Sequence, residues 1–217
     1  MRSDPLILAF DTSAAHCAAA LLSGDRVLAE AQEDMARGQA ERLMPLVRQV
    51  MDRGGTALPD LSAIGVGTGP GNFTGIRISV AAARGLALAL GIPAVGVSGL
   101  DALALGHAGP VLACLDARRD HVYLQRFGAG VSRGPELVPL VEAPDWACDG
   151  LSCVGHDADT LAARLGATAA PAHHTLAVAI ARTAATRWQA GGPRPAPLYL
   201  RSPDAAPARD RGPVMLS

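Results

Sequence analysis

The strongest constraint on the fold is a pattern that occurs twice along the chain. The apolar run Leu6–Phe10 is followed by Asp11, and about 100 residues later the run Val111–Asp116 also ends in an acidic residue. Short continuous apolar runs are typical of buried strands. Each run is followed by a second predicted strand, Cys17–Leu22 and His121–Phe127 respectively. The shared order predicts two related α/β lobes, although no residue-by-residue repeat accompanies it.

The segments between these runs fill the first lobe and leave the second one smaller. Helical spacing of apolar residues predicts helices over Gln39–Arg53 and from Ile76 to about Leu90. We therefore expect an N-terminal lobe at residues 1–106, a reduced C-terminal lobe at 107–201 and a flexible tail at 202–217. The other predicted elements are strands at Arg26–Glu33, Ala63–Gly67, Ile92–Val97 and Ser152–Gly155, and helices at Gly99–Gly106, Ala158–Leu165 and Leu176–Trp188.

The composition excludes several classes of function. Hydrophobic residues make up 49% of the 217 residues, aromatic residues 3%, and the formal net charge is -1. A packed core is expected, whereas a base-stacking surface or a strong attraction to anionic membranes is not. All 19 basic residues are arginine, which excludes a P-loop lysine and Schiff-base chemistry. No window reaches the roughly 18 apolar residues of a membrane helix, so we expect a cytoplasmic protein without a membrane partner.

The histidines and cysteines form no recognisable catalytic or metal-binding motif. The four cysteines contain no C-x-x-C pair, and the six histidines contain no H-x-x-x-H pair. No serine, histidine and aspartate can be linked from sequence as a triad. The sequence therefore predicts no catalytic residue, no metal site and no resident cofactor, with weak nucleotide binding left open.

Two segments could form a phosphate site or could serve the backbone geometry alone. Asp11 and Thr12 follow the first strand, where α/β sheets place ligand-binding groups, but an aspartate there can equally cap a turn. The glycine-rich segment Gly69–Gly75 precedes a helix, so its N–H groups could bind an anion, or its glycines could allow close packing. Arg77 could pair with a phosphate or with a nearby carboxylate. The candidate residues are Asp11, Thr12, Gly69, Gly71, Asn72, Thr74, Gly75 and Arg77.

The second helix is apolar almost all the way round. Its alanines and glycines leave little of the polar face that a surface helix should carry. Such a helix is either buried within the lobe or also covered by another protein chain, and the sequence leaves both interpretations open.

The chain resembles the TsaB (YeaZ) family in four segments, which occur in the family's order. These segments are Ile7–Ser13, Gly67–Arg77, Leu115–Arg118 with Val122-Tyr123, and Pro197–Arg201. The element G-P-G-x-F-T-G-I-R, which spans residues 69–77, is the most specific of them. The resemblance covers nearly the whole chain, with Asn72 in place of the family's usual serine and Gln39 where many relatives have histidine.

The resemblance implies an actin-like fold of two ribonuclease-H-like lobes. It also implies a non-catalytic partner of TsaD, the subunit that transfers threonylcarbamoyl to adenosine 37 of ANN-decoding tRNAs. In that reading, the chain binds and activates TsaD, helps to dock the ATPase TsaE, meets tRNA through the complex and forms a homodimer when isolated. TsaD carries a metal-binding H-x-x-x-H on its first helix, whereas the predicted first helix of this chain, Gln39–Arg53, has no histidine. The implied partner-binding residues are Leu43, Met44, Val47, Ile76, Val80, Ala83 and Ala87.

The alternative is an ATP-dependent small-molecule enzyme of the sugar-kinase-like superfamily. In that reading Asp11 holds magnesium and the glycine-rich loop holds phosphate. The two hypotheses differ in whether the isolated chain binds ATP saturably.

Overall fold

The computed structural model describes residues 4–128, 130 and 132–201, which form two five-stranded sheets. The predicted flexible tail at 202–217 lies outside the described residues.

The first sheet has the strand order β3-β2-β1-β4-β5. Its first three strands are antiparallel neighbours, while β4 and β5 run parallel to β1. The central β1 is buried over nearly its whole length, as its continuous apolar run predicts. The strands are β1 (Leu6–Asp11), β2 (His16–Ser23), β3 (Arg26–Asp34), β4 (Ala63–Gly67) and β5 (Ala94–Val97).

Helices cover both faces of this sheet. On one face pack α1 (Gln39–Gly54) and α2 (Phe73–Leu90), and their apolar side chains form a core with alternate residues of β1, such as Leu8 and Phe10. Pro45 lies inside α1, which continues through it. The opposite face, with Ile7 and Ala9, packs against a helix from the end of the chain.

The second sheet repeats the topology of the first. Its order is β10-β9-β6-β7-β8, again with three antiparallel neighbours and two parallel strands. All five strands of the first lobe thus have a counterpart, and the reduction of the second lobe is confined to its helices. The strands are β6 (Val111–Asp116), β7 (His121–Phe127), β8 (Arg133–Pro139), β9 (Ser152–Gly155) and β10 (Thr168–Ala170).

The helices of the second half account for that reduction. The position of α1 is taken by a single 3-10 turn, Leu140–Glu142, and that of α2 by the shorter α4 (Ala158–Leu165). The last helix is α5 (Leu176–Arg187), which corresponds in order to the short α3 (Gly99–Ala104) after β5.

These two corresponding helices exchange sheets. Helix α3 packs on β6 of the second sheet, whereas α5 packs on β1, β2 and β4 of the first, and the two helices contact each other between the sheets. Helix α5, which falls in the range 107–201 predicted for the second lobe, thus packs on the first sheet. Side chains such as Ile180 and Ala184 fill the core beneath the first sheet, a long-range contact that helical periodicity cannot reveal.

Three sequence-based expectations need correction in detail. The strands β8 and β10 were not predicted, because β8 contains a glycine and two prolines and β10 has only three small residues. Helix α2 begins at Phe73 rather than Ile76. By length and composition alone α2 is also apolar enough to cross a membrane, contrary to the expectation. Helix α2 packs on β4 and α1. Core helices of soluble proteins are often as long and as apolar as this one.

Candidate functional site

The carboxylate of Asp11 is buried and held by neighbouring protein groups. Ser13 donates to Asp11 Oδ1 from its backbone N (2.9 Å) and from its hydroxyl (2.8 Å), and His16 Nε2 lies 2.7 Å from the same oxygen. A Cβ at Gly67 would collide with the other oxygen, Oδ2, so the carboxylate packs directly against β4. The Asp11 residue as a whole is 1% exposed. This geometry supports the turn-capping interpretation of Asp11 over a magnesium ligand.

The glycine-rich loop is packed onto the backbone that follows β1. Added Cβ atoms at Gly71 and Gly75 would collide with the carbonyl oxygens of Ser13 and Thr12. Thr12 donates from Oγ1 to the Gly75 carbonyl at 2.6 Å, and the Asn72 N–H donates to the Ser13 carbonyl at 2.6 Å. Close packing is therefore the reason for these two glycines.

Asn72 caps α2 and uses N–H groups that an anion would need. Its Oδ1 accepts from the N–H of Thr74 (3.0 Å) and of Gly75 (3.4 Å). Gly69 precedes it with a φ of +88°, a left-handed conformation that glycine adopts readily. The N–H groups of Thr74 and Gly75 are therefore already used within the chain.

Arg77 stacks on an aromatic ring instead of pairing with a carboxylate. Its guanidinium lies 5.2 Å from the centre of the Phe73 ring. That ring stacks in turn on Tyr199, with centroids 4.8 Å apart. Within the described residues no ion pair is formed by Arg77. Tyr199 belongs to the segment Pro197–Arg201, which we call the closing segment. A hydrogen bond from the Leu198 N–H to the Thr68 carbonyl, at 2.8 Å, also holds this segment against the first lobe.

The predicted partner-binding residues lie mostly in the core. Only Met44 is exposed, at 41%, and it lies on the outer side of α1. The stripe formed by the other six faces the first sheet, so they are buried, and their contact with a partner stays a prediction. Helical spacing finds an apolar stripe, but it does not tell which stripe packs inward when a helix is apolar all round. The six buried residues are Leu43, Val47, Ile76, Val80, Ala83 and Ala87.

The outward face of α2 carries small and apolar residues beside the exposed Arg84, and coverage of this helix by another protein chain is one of the two interpretations that the sequence left open. Ala81, Gly85 and Leu88 are exposed at helical spacing, and Leu88 is 80% exposed. An added Cβ at Gly85 would meet nothing within 4 Å. We call this stripe, together with the exposed Met44 of α1, the outer helix face. The signal that could have found it is a glycine in the middle of a long helix.

A cleft of about 710 Å³ lies between the two lobes. One wall carries His16 and the glycine-rich loop, and the other carries the turn between β6 and β7. The closing segment, with Tyr199 and Arg201, also lines it. Asp11 lies behind His16 and is not part of the lining.

The described residues provide no metal cluster, and three of the four cysteines have thiols that burial makes unreactive. No group of three or more His, Cys, Asp or Glu side chains among them could hold a metal ion. Burial raises the pKa of Cys17 to about 11, that of Cys114 to about 12 and that of Cys153 to about 11. These thiols are therefore protonated, and hence weak nucleophiles, at neutral pH.

The sequence matches one family model and a curated relative. The model is described as TsaD, tRNA N6-adenosine threonylcarbamoyltransferase, and it matches residues 27–137. The tRNA threonylcarbamoyladenosine biosynthesis protein TsaB of Escherichia coli (strain K12) is 40% identical over 144 residues. That alignment covers 63% of this chain and 62% of the relative, so the chain spans about three fifths of that protein's length.

The fold matches solved structures over most of the chain. YeaZ from Pseudomonas aeruginosa has 31% sequence identity and a TM-score of 0.71, covering 90% of this chain and 100% of that chain. Component A of the (R)-2-hydroxyglutaryl-CoA dehydratase of Acidaminococcus fermentans has a TM-score of 0.55 at 10% identity, covering 85% of this chain and 99% of that chain. This second likeness concerns the fold alone. With the two matching sheets it confirms the predicted actin-like class of duplicated lobes. The 40% sequence identity to the Escherichia coli TsaB and the full coverage of the YeaZ structure establish that the chain belongs to the TsaB (YeaZ) family.

Proposed function

We propose that this chain is a non-catalytic subunit for threonylcarbamoyl transfer to adenosine 37 of ANN-decoding tRNAs. In this role it acts in the cytoplasm, binds and activates TsaD, helps to dock the ATPase TsaE, and meets tRNA through the complex. The name of the Escherichia coli relative supports the pathway, and the TsaD family match supports kinship with the proposed partner. The observation that carries the proposal is the outer helix face.

Gly85 is the most informative residue of that face. Glycine in a helix interior costs about 1 kcal/mol of stability relative to alanine. Gly71 and Gly75 admit a neighbouring backbone, but at Gly85 the chain itself leaves open space. A glycine without an internal neighbour is explained when a second helix approaches closely from outside. The exposed Leu88 beside it supplies apolar surface for the same contact.

The family match also supports a partner that resembles this chain. Residues 27–137 match the TsaD model, and they include both α1 and α2. Two related helix pairs can pack through equivalent faces, as identical subunits do across a two-fold axis. The same outer helix face would then form a homodimer in the isolated protein and a heterodimer when TsaD is present.

The geometry gives no support to the ATP-dependent enzyme. The Asp11 carboxylate is already hydrogen-bonded, and the first N–H groups of α2 are capped by Asn72. No second function is proposed on these residues.

Size-exclusion chromatography with light scattering, on the chain alone and mixed with TsaD of the same organism, tests the proposal. The native chain should form a stable complex, and Leu88→Asp should abolish it. The matched control is Val141→Asp, because Val141 is 84% exposed but lies on the second lobe. Equal association of the two variants, or a native chain that ignores TsaD, would contradict the proposal.

A further inference from the structure

We propose that a groove along the free edge of β5 binds an extended acidic segment of another protein, which adds to the first sheet as a further strand. The groove has a volume of about 1040 Å³ and shares no lining residue with the cleft between the lobes. The inference does not rest on the proposed function. Gly85 and Leu88 of the outer helix face also line the groove, so the variants that test it are taken from its other walls.

The outer edge of β5 carries backbone groups that have no partner in the sheet. β5 is the last strand of the first sheet and pairs only with β4. The Pro93 carbonyl faces β4, because it accepts from the Ile64 N–H at 3.0 Å. Backbone groups alternate in direction along a strand, so the N–H and C=O groups of Ala94 and Gly96 point away from β4. Within the part of the chain that the structure describes, no hydrogen bond is formed to these outward groups.

The groove opens directly onto this edge. Residues 93–96 all line it, and since their side chains alternate between the two faces of the sheet, a groove that touches all four also touches the edge. Residues 193–196 lie beside the strand, because a Cβ added at Gly96 would lie 3.5 Å from the Cα of Pro195. This segment forms no strand, and Pro193 and Pro195 have no N–H to donate. It therefore makes a wall of the groove and leaves the edge of β5 unpaired.

The two sides of the groove suit the alternating side chains of an added strand. Leu88 and Ile92 lie on the side of α2, and Trp188 lies on the side of α5. These two helices cover opposite faces of the first sheet. A further strand continues both faces, so its apolar side chains would contact Leu88 and Ile92 on one face and Trp188 on the other.

The charges of the groove favour an acidic occupant. Arg84, Arg187 and Arg194 line it, and no aspartate or glutamate does. Of the three, Arg187 lies 3.7 Å from Asp101, whereas Arg84 and Arg194 form no ion pair within the described residues. Carboxylates on the added strand would pair with these guanidiniums, and lysines in the same positions would be repelled. The segment that fits is therefore one that combines glutamate or aspartate with branched apolar residues, which favour strands.

Fluorescence anisotropy on the full chain tests this assignment, with a labelled seven-residue peptide of alternating glutamate and valine as the probe. We expect saturable binding with a Kd of about 0.1 mM or lower. The matched peptide with lysine in place of glutamate should bind about tenfold more weakly or worse, because it meets the three guanidiniums.

Ala94→Pro separates strand addition from simple attraction of charge. Proline at this edge position removes the outward N–H and no hydrogen bond to β4, so the fold should persist by circular dichroism while the affinity falls about tenfold or more. Arg194→Glu should give an independent loss of about fivefold or more. Arg133→Glu, on an exposed position of β8, should give none.

Three results overturn the proposal: no saturable binding of the glutamate–valine peptide, equal affinity for the lysine peptide, or unchanged affinity in both groove variants. Self-association that is lost in Ala94→Pro, without peptide binding, would assign the edge to a second copy of this chain and would also overturn it. Association with TsaD should be the same in Arg194→Glu as in the native chain, because Arg194 lies outside the outer helix face. The two proposals therefore fail separately.

Discussion

Replacing Gly85 by alanine should stabilise this chain and weaken its association. The helix propensity of alanine exceeds that of glycine by about 1 kcal/mol, and no atom within 4 Å opposes the added methyl group. The free energy of unfolding should therefore rise by about 1 kcal/mol, which raises the melting temperature by about 2–4 °C for a chain of this size. An added methyl group at a close helix contact costs about 1–3 kcal/mol, so the Kd for TsaD should rise about fivefold or more.

Urea unfolding at low protein concentration measures the first effect, and calorimetric titration with TsaD measures the second. Ala81→Gly, on the same face, is the control for a change without added bulk. If Gly85→Ala stabilises the fold and leaves both homodimer and TsaD affinity unchanged, the glycine has no role in close helix contact. A loss of stability would instead refute the open space at this position.

Three further predictions concern stability. Leu43→Ala should lower the free energy of unfolding by about 3 kcal/mol or more in urea titrations, because Leu43 is 1% exposed in the core. A loss of stability near zero would show that Leu43 is not part of the core. Asn72→Ala should cost about 1 kcal/mol through the lost cap, and Asn72→Ser should recover most of it; equal stabilities of the two variants would count against the cap. Burial lowers the pKa of His107 and of His174 below 6.5, so the unfolded state binds more protons and stability should fall as the pH drops below about 6.5. His107→Phe should flatten that dependence in thermal scans, and an unchanged slope would exclude His107 as a source.

The sequence predicted elements well where local pattern determines them. The buried run of β1, the helix α4 and the strand β7 lie where their apolar spacing placed them. The duplicated order of strands also follows from the two acidic residues that end β1 and β6. These features depend on residues that are near one another in the chain, so they are visible in a single sequence.

What the sequence could not supply depends on contacts between distant residues. Helix α5 packs on the first sheet, although it lies beyond the whole second sheet in the chain. Leu43 and Met44 are adjacent and both apolar, yet one is buried and the other is 41% exposed. For the loop, the sequence left anion binding and close packing open, and only the position of the Thr12 and Ser13 carbonyls decides for packing. Arg118 has a left-handed backbone conformation, with a φ of 61°. The sequence gives no signal of it, because arginine rarely adopts a positive φ.

Reconstituted tRNA modification tests the central claim most directly. TsaD, TsaE, an ANN-decoding tRNA and a threonylcarbamoyl donor would be combined with and without this chain, and modified adenosine would be quantified by mass spectrometry of the digested tRNA. The account predicts modification only when the chain is present, a strong reduction with Leu88→Asp, and none from the chain without TsaD. Full modification in its absence, or modification by the chain alone, would contradict its role as a non-catalytic subunit.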